Sequence, residues 1–560
     1  MIRELSEVLG EELATYDVCV VGSGPAGMTL AAELAAAGRS VCVLESGTRR
    51  PTPHGDRLRA VRSEGIEIKE YSRERVLGGA STTWAGLSAP LDEIDCEPRP
   101  SRPGWGWPIP REELVAEYRR AAERYRFAPL ELFGPGGFDA LRGKGEWEPR
   151  WSDLEEKVFL AAAEPQDFGR EWSGVFEGGG ADLFLDATVV RLEQAPDGDR
   201  ATAAVAATAD GRRRPIPARR FVLATGGIEN ARLLLLSDDR CPAGLGNERD
   251  QVGRCLMNHP KNYHGLIRLA RPVRELPYFF GCLKSGYAGY AGLRLSERVQ
   301  RERDCLNAYV RLEPLFPWSD SLGVEAFVLL VKRSRRLLTF WKKRHADEMV
   351  TLRDYAETGD DSELQNERKS VLGWLRVVGL VFADALPVAR YFFSRLRNGA
   401  SPVVRTIRVR NFMEMEPCPQ NRVVLADAAD AHGSALPLVR HAPTALDRRS
   451  LIVLHEVLGA ELERAGAGVL ESDIADAEPW PIDYDASHHM GTTRMGTDPA
   501  RSVVDANCRL HTVPNVYLAG ASVFPASGCA NPTFTIVALS IRLARHLAQS
   551  PGDEGEGGAV

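Results

Sequence analysis

Residues 16-YDVCVVGSGPAGMTLAAELAAAGRSVCVLESG-47 decide the fold. Val18 to Val21 is a short apolar run of strand length, an Ala/Leu-rich helical stretch follows, and Val41 to Leu44 is a second apolar run. That is a strand–helix–strand unit, and such units build parallel sheets with helices on their faces. The turn between strand and helix reads Gly22-Ser-Gly24-Pro25-Ala26-Gly27. In this frame Gly22 permits the tight turn, Gly24 lets backbone approach a diphosphate, and Gly27 allows helix and strand to pack closely. Glu45 closes the second strand, where a carboxylate binds both ribose hydroxyls of an adenosine and repels a 2′-phosphate. A dinucleotide other than NADP is therefore expected.

The next pieces outward choose between NAD and FAD. Residues 220-RFVLATGGIENARLLLLS-237 read as strand, Gly-Gly turn and helix, with Ala224-Thr225-Gly226-Gly227 at the turn. The A-T-G-G element is typical of flavoproteins, whose nucleotide domain is assembled from separated pieces of chain. Thr188 to Leu192 is a strand in the position that packs on the adenine, through Val189, and Leu518-Ala519-Gly520 supplies a third strand end, followed by Ala521. An FAD site accounts for this late return of the chain, whereas a plain NAD dehydrogenase has no use for it. The loop 77-LGGASTTWAGLSAP-90 sets small residues around one tryptophan, as expected of backbone packed on a flat ligand.

The chemistry is expected in 487-SHHMGTTRMGTDPARSVVDANCRLHTVPNVYLAGASVFPASGCANPTFTIVALSIRLARHL-547. Asn531-Pro532 has the pattern of a helix start, with Asn as N-cap and Pro at the first helical position. A helix N-terminus favours negative charge in front of it. A neutral imidazole beside that point is able to accept a proton. Base and helix end together are what oxidation of an alcohol requires.

Taken together, Gly22 to Gly27 with Glu45, the Gly78-Gly79…Trp84 loop, Ala224 to Gly227 and the whole of 487–547 resemble the glucose–methanol–choline (GMC) oxidoreductases. That resemblance implies an FAD-dependent enzyme acting on alcohols. It implies an α/β fold: a Rossmann-like FAD-binding domain in discontinuous segments (1–100, 170–264 and 486–550) and an α+β substrate domain on an antiparallel sheet (101–169 and 265–485). A helical insertion is expected at about 325–400, and a disordered tail at 551–560. The family's base stands three positions before the glycine of Gly491-Thr492, which is His488, with His489 turned elsewhere. The second catalytic position is Asn531. The cofactor set it implies is Gly22, Gly24, Pro25, Ala26, Gly27, Glu45, Ser46, Gly78, Gly79, Ser81, Thr83, Trp84, Val189, Ala224, Thr225, Gly226, Gly520, Ala521, Pro532 and Thr533. Members that attach FAD covalently carry a loop histidine where this chain has Thr83, so the FAD is expected to be non-covalent. Met257-Asn258-His259-Pro260 resembles the family's crossing between domains, with His259 expected to be structural.

The sequence around His488 is similar to bacterial members acting on sugars, glycosides, cyclitols and aminosugars, and the His/Asn pair to pyranose oxidases and sterol oxidases. A sterol or long aliphatic alcohol is the alternative, suggested by apolar 371–393 and basic 329–344; a flavin-binding protein without turnover is a minor one. The electron acceptor is O2 or another species, and a homo-oligomer is possible. A net charge of −7 argues against nucleic acid as a partner. Ten cysteines without a C-x-x-C pair, and no secretory pattern, point to a reduced, cytoplasmic protein. No segment has the ~18 uncharged apolar residues of a spanning helix, and no metal is expected. Residues 355–370 read as a mobile link, and strand alternation over 407–425 leaves open whether Glu414 and Glu416 or their neighbours face the site.

Overall fold

The computed structural model describes residues 1–98, 105–142, 146–162, 164–274, 276–282, 286–333, 371–396, 403–483 and 485–549. The expected link at 355–370, the tail at 551–560 and most of the basic run at 329–344 lie outside the described residues.

The nucleotide fingerprint opens a parallel sheet. Tyr16–Val21 pairs in parallel with Val41–Leu44 on one side and with Arg213–Leu223 on the other. The order continues outward through Ala181–Leu185 to Ile2–Glu4. Arg213–Leu223 also pairs in parallel with Val516–Leu518, so the last sheet strand does come from the C-terminal segment. Its first half pairs antiparallel with Ala201–Ala207, which pairs with Thr188–Gln194. The central strands are buried on both faces, as the unbroken runs Val18 to Val21 and Val41 to Leu44 require.

The first helix, Pro25–Ala36, and the last, Thr533–Gln549, pack on this sheet and share its core with Phe221, Leu518 and Phe534. Helix Arg111–Tyr125, expected on the substrate side, joins the same core through Leu114, Tyr118 and Ala121. Its amphipathic spacing puts those residues on one face, and Tyr118 reaches the Thr535 hydroxyl at 2.6 Å.

A second sheet is antiparallel, in the order Phe279–Cys282, Tyr287–Leu295, Ala308–Leu315, Val404–Met413, Lys261–Val273, Gly468–Glu471, and Leu154–Ala162 also pairs with Tyr287–Leu295. Strand alternation divides its faces. Val310, Leu312, Ile407 and Val409 form a core with Leu451, Leu454, Leu458 and Leu462 of helix Ala445–Arg464. Tyr309, Arg311, Arg410 and Phe412 point the other way, into a cavity shared with the first sheet.

Helices Leu322–Arg333, Val371–Ala383 and Ala385–Leu396 form the insertion, with Leu375, Phe382 and Phe393 68%, 76% and 63% exposed. No single described helix is long and apolar enough to cross a membrane, although Gly373–Ala383 and Ala385–Ser394 together reach that length across a 78° bend.

A Cβ at Gly27 would overlap the Gly22 carbonyl oxygen, so this contact between helix and strand has no room for a methyl group. Gly27→Ala is expected to destabilise the fold by ~1–3 kcal/mol, the usual cost of overpacking. Urea denaturation checks this; an unchanged midpoint would mean the first helix slides to accept the methyl.

Candidate active site

One cavity runs from the fingerprint turn to the C-terminal loop. Gly22 has φ +99°, and a Cβ there would stand 2.7 Å from the Ala224 carbonyl oxygen, so the two glycine turns meet backbone to backbone. By contrast, a Cβ at Gly24, Gly226 or Gly520 would meet nothing within 4 Å. These three glycines line the cavity and leave open the space that side chains would fill. Gly24 also precedes the first helix, whose N–H groups favour an anion there. Such a cradle fits the diphosphate of a dinucleotide. Glu45 lines it too, with one carboxylate oxygen accepting from Ser23 N–H at 3.0 Å and Ser23 Oγ at 2.6 Å, and the other from Gly47 N–H at 2.7 Å. Remaining lone pairs serve a ribose.

Of the expected cofactor set, Gly22, Gly24, Pro25, Ala26, Glu45, Ser46, Gly79, Ser81, Thr83, Trp84, Val189, Ala224, Thr225, Gly226, Gly520, Ala521, Pro532 and Thr533 line this cavity. Gly27 and Gly78 do not. Gly27 serves helix packing, and Gly78 N–H donates to Ser23 Oγ at 3.2 Å behind the wall. Thr83 Oγ1 donates to the Tyr71 carbonyl at 2.8 Å, and Trp84 Nε1 to that of Gln166 at 2.7 Å, which holds the loop against the opening.

At the other end lie His488, His489 and Asn531. Both histidines line the cavity, and lining alone does not separate them. His259 does: its Nδ1 stands 3.0 Å from His488 Nδ1, and its Nε2 2.8 Å from the Gly528 carbonyl oxygen. A carbonyl only accepts, so His259 Nε2 carries hydrogen, and in the neutral ring its Nδ1 is then an acceptor. His488 Nδ1 must therefore donate, which leaves the lone pair on His488 Nε2. That atom makes no hydrogen bond among the described residues. His259, expected to be structural, thus belongs to the site. No local signal could have revealed a contact between residues 259 and 488.

Burial holds both imidazoles neutral. It pushes His259 down to about 4, and pushes His488 well below its ordinary value, helped by His259, His489 and Lys261.

Asn531 is not the N-cap expected of it. The last helix begins at Thr533, and Ile536 N–H donates to the Pro532 carbonyl at 2.9 Å, one residue later than an Asn531 cap would give. A cap is worth ~1 kcal/mol. The loop before the helix is held at Gly528, whose carbonyl accepts from His259 and whose N–H donates to Glu414 Oε1 at 3.2 Å. The Asn531 amide has no hydrogen-bond partner among the described residues. Glu414 is buried; its other oxygen accepts from Asn307 N–H at 2.9 Å, so its role is to support the loop. Lys261, Arg311 and Arg410, on the cavity wall of the second sheet, were not singled out by the sequence.

Comparison with known proteins agrees with this arrangement. A family profile described as GMC oxidoreductase matches residues 417–540, and one described as FAD dependent oxidoreductase matches 17–242. Residues 417–540 are a GMC oxidoreductase C-terminal domain, and residues 17–242 an FAD-dependent oxidoreductase domain. Paromamine 6'-oxidase of Streptomyces fradiae is 34% identical over 28% of this chain and 27% of its own. The fructose dehydrogenase large subunit of Gluconobacter japonicus is 26% identical over 65% of this chain and 53% of its own. The chain thus spans between about a quarter and a half of the length of these relatives. A crystal structure of pyridoxine 4-oxidase from Mesorbium loti shares the fold, with TM-score 0.51 and 15% identity over 95% of this chain and 99% of that one. Both matched families bind FAD, and FAD is the cofactor of this site.

Two outcomes follow from the site. With Thr83 in place of an attachment histidine, acid precipitation is expected to release all the flavin into the supernatant; flavin left on the pellet would show a covalent link. The buried histidines also set a pH dependence of stability. Their folded values are depressed, whereas the unfolded chain takes up protons near pH ~6.5. As pH falls below that value the unfolded state gains protons first, so stability is lost between pH ~6.5 and the lowered folded values. Urea midpoints at pH 7 and pH 5 check this, and H259Q should weaken the difference.

Proposed function

We propose that this protein oxidises an alcohol carbon of a sugar, glycoside, cyclitol or aminosugar to a carbonyl. The observation that carries the reading is the hydrogen-bond chain from Gly528 through His259 to His488, which leaves an unprotonated Nε2 at the cavity wall. FAD, when bound, supplies the acceptor for the hydride. His488 Nε2 takes the proton of the substrate hydroxyl as a general base, and its depressed basicity keeps it available at neutral pH. Asn531 donates from Nδ2 to the substrate oxygen and orients it, being unable to act as a base itself. The N-terminus of the last helix, with Pro532 and Thr533 at the wall, favours negative charge that develops nearby. Electrons then leave to O2 or another acceptor.

The sugar-type substrate is supported by the relatives named above and by a wall of polar and aromatic groups. Exposed Leu375, Phe382 and Phe393 favour a second reading, in which the insertion docks on a membrane and the substrate is a sterol or long-chain alcohol. Buried arginines along the cavity oppose it, since a long apolar chain would bury them without offering hydrogen bonds.

Anaerobic bleaching of the flavin tests the reading. A sugar or glycoside should bleach it, and H488A should slow that step by ~10²–10⁴-fold while keeping the flavin spectrum. H259A should also slow it, and H259Q should recover part of the rate, because glutamine accepts from His488 and donates to Gly528. Full reduction in H488A would refute the assignment. Bleaching by cholesterol or a fatty alcohol alone would favour the membrane reading.

A further inference from the structure

We propose that the substrate carries an oxyanion, carboxylate or phosphate, and that Arg410 and Arg311 form the subsite that recognises it. The proposal rests on the sugar-oxidation reading and narrows its substrate class.

The two arginines stand directly opposite each other across the antiparallel strands Ala308–Leu315 and Val404–Met413. Both line the cavity that also holds His488 and Asn531, and they are only 4% and 8% exposed. Like charges in that position destabilise a sheet, and burying each guanidinium adds a desolvation cost. The nearest carboxylate, Glu313, lies closer to Arg311 than to Arg410. Glu313 Oε1 lies 2.8 Å from Arg311 Nη2 and 3.8 Å from Arg410 Nη1, while its Oε2 lies 3.8 Å from Arg408, which faces it in register. One carboxylate is therefore near three guanidinium groups; the Arg311 guanidinium carbon also lies 4.9 Å from the Tyr290 ring centre, and Arg408 bonds Asp320 at 2.6 Å.

The stacking of Arg410 shows what is left to recognise a ligand. Its guanidinium carbon lies 4.6 Å from the Tyr263 ring centre and 5.2 Å from that of Phe412. Such contacts occupy the faces of the planar group and leave its N–H edges in the plane. Those edges make no hydrogen bond among the described residues, and the buried Nε is without one too. An oxyanion matches the open guanidinium fork of Arg410 by bidentate, charge-assisted bonds, with the charge of Arg311 beside it. It also relieves the repulsion between them, which a neutral hydroxyl does not. A protonated aminosugar would add another cation to a wall that already includes Lys261. The diphosphate of the cofactor has its own cradle on the other sheet, at Gly24 and the first helix, so it does not account for this pair.

Thermal shift on the FAD-loaded enzyme tests this, with glucuronate, glucose 6-phosphate, glucose and glucosamine titrated at matched ionic strength. Glucuronate or glucose 6-phosphate should bind at least tenfold more tightly than glucose, and whichever does so separates carboxylate from phosphate. R410Q should lower that ratio to near one; R410K, which keeps the charge but not the fork, should give an intermediate ratio. Equal binding of acids and glucose by the wild type, or tighter binding of glucosamine, overturns the proposal. So does an acid preference that persists in both variants. Anaerobic flavin reduction in the same samples separates the two claims. Acid-selective binding without reduction by any compound upholds the subsite and refutes the oxidation reading, whereas reduction by glucose without acid preference refutes the subsite alone.

Discussion

The peptide of Gly528 is gripped on both sides, and the geometry of the active site depends on that grip. Its N–H donates to Glu414, just past the end of strand Val404–Met413, and its carbonyl accepts from His259 at the crossing between the sheets. The backbone there is left-handed, with φ +56°, and a Cβ would overlap the Asp95 carboxylate, so glycine is required for strain and for space. Through its carbonyl the loop sets the tautomer of His259 and thereby that of His488. Three residues further on, the same loop delivers Asn531 to the cavity and starts the last helix.

Behind the grip lies a closed polar network. Asn307 Nδ2 donates to Asp92 and Asp95, each at 2.9 Å, and Lys157 Nζ bonds Asp92 at 2.6 Å. The two aspartates are driven apart by their surroundings. Asp92 is held down at about 2 because Lys157 and Arg294 outweigh its burial, whereas burial and the charges of Asp92 and Glu414 push Asp95 up to about 7. Buried groups of this kind are costly unless satisfied, and satisfied networks are rigid. Rigidity is what the proposed base and orienting amide, from separate parts of the chain, require.

The two sheets divide the work by their chemistry. The parallel sheet ends in glycines and helix N-termini, which offer backbone N–H groups and space, the means of holding a large anionic cofactor. The antiparallel sheet contributes the side chains of one face, Tyr309, Arg311, Arg410 and Phe412, while its other face is committed to the core under helix Ala445–Arg464. Strand alternation lets one element serve both ends, and differences in substrate can arise on that face without disturbing the cofactor cradle.

Much of this was legible in the chain alone where the signal is local. The strand–helix–strand unit, the glycine turns, the carboxylate closing the second strand and the late return of Val516–Leu518 follow from patterns within a few dozen residues. His488 and Asn531 were legible through family motifs, since their neighbours in sequence mark them. The exceptions are long-range. Asn531 was expected as a cap from its local pattern, but the last helix begins at Thr533, two residues later. His259 gained its place from a partner 229 positions away, and the opposition of Arg311 and Arg410 came from strand register. The sequence by itself determined the turns, the helices and the kinds of reactive group, because those depend on near neighbours. Only the tertiary structure decided which nitrogen of His488 is free and which charges face each other, because proton positions and register are set by contacts between distant segments.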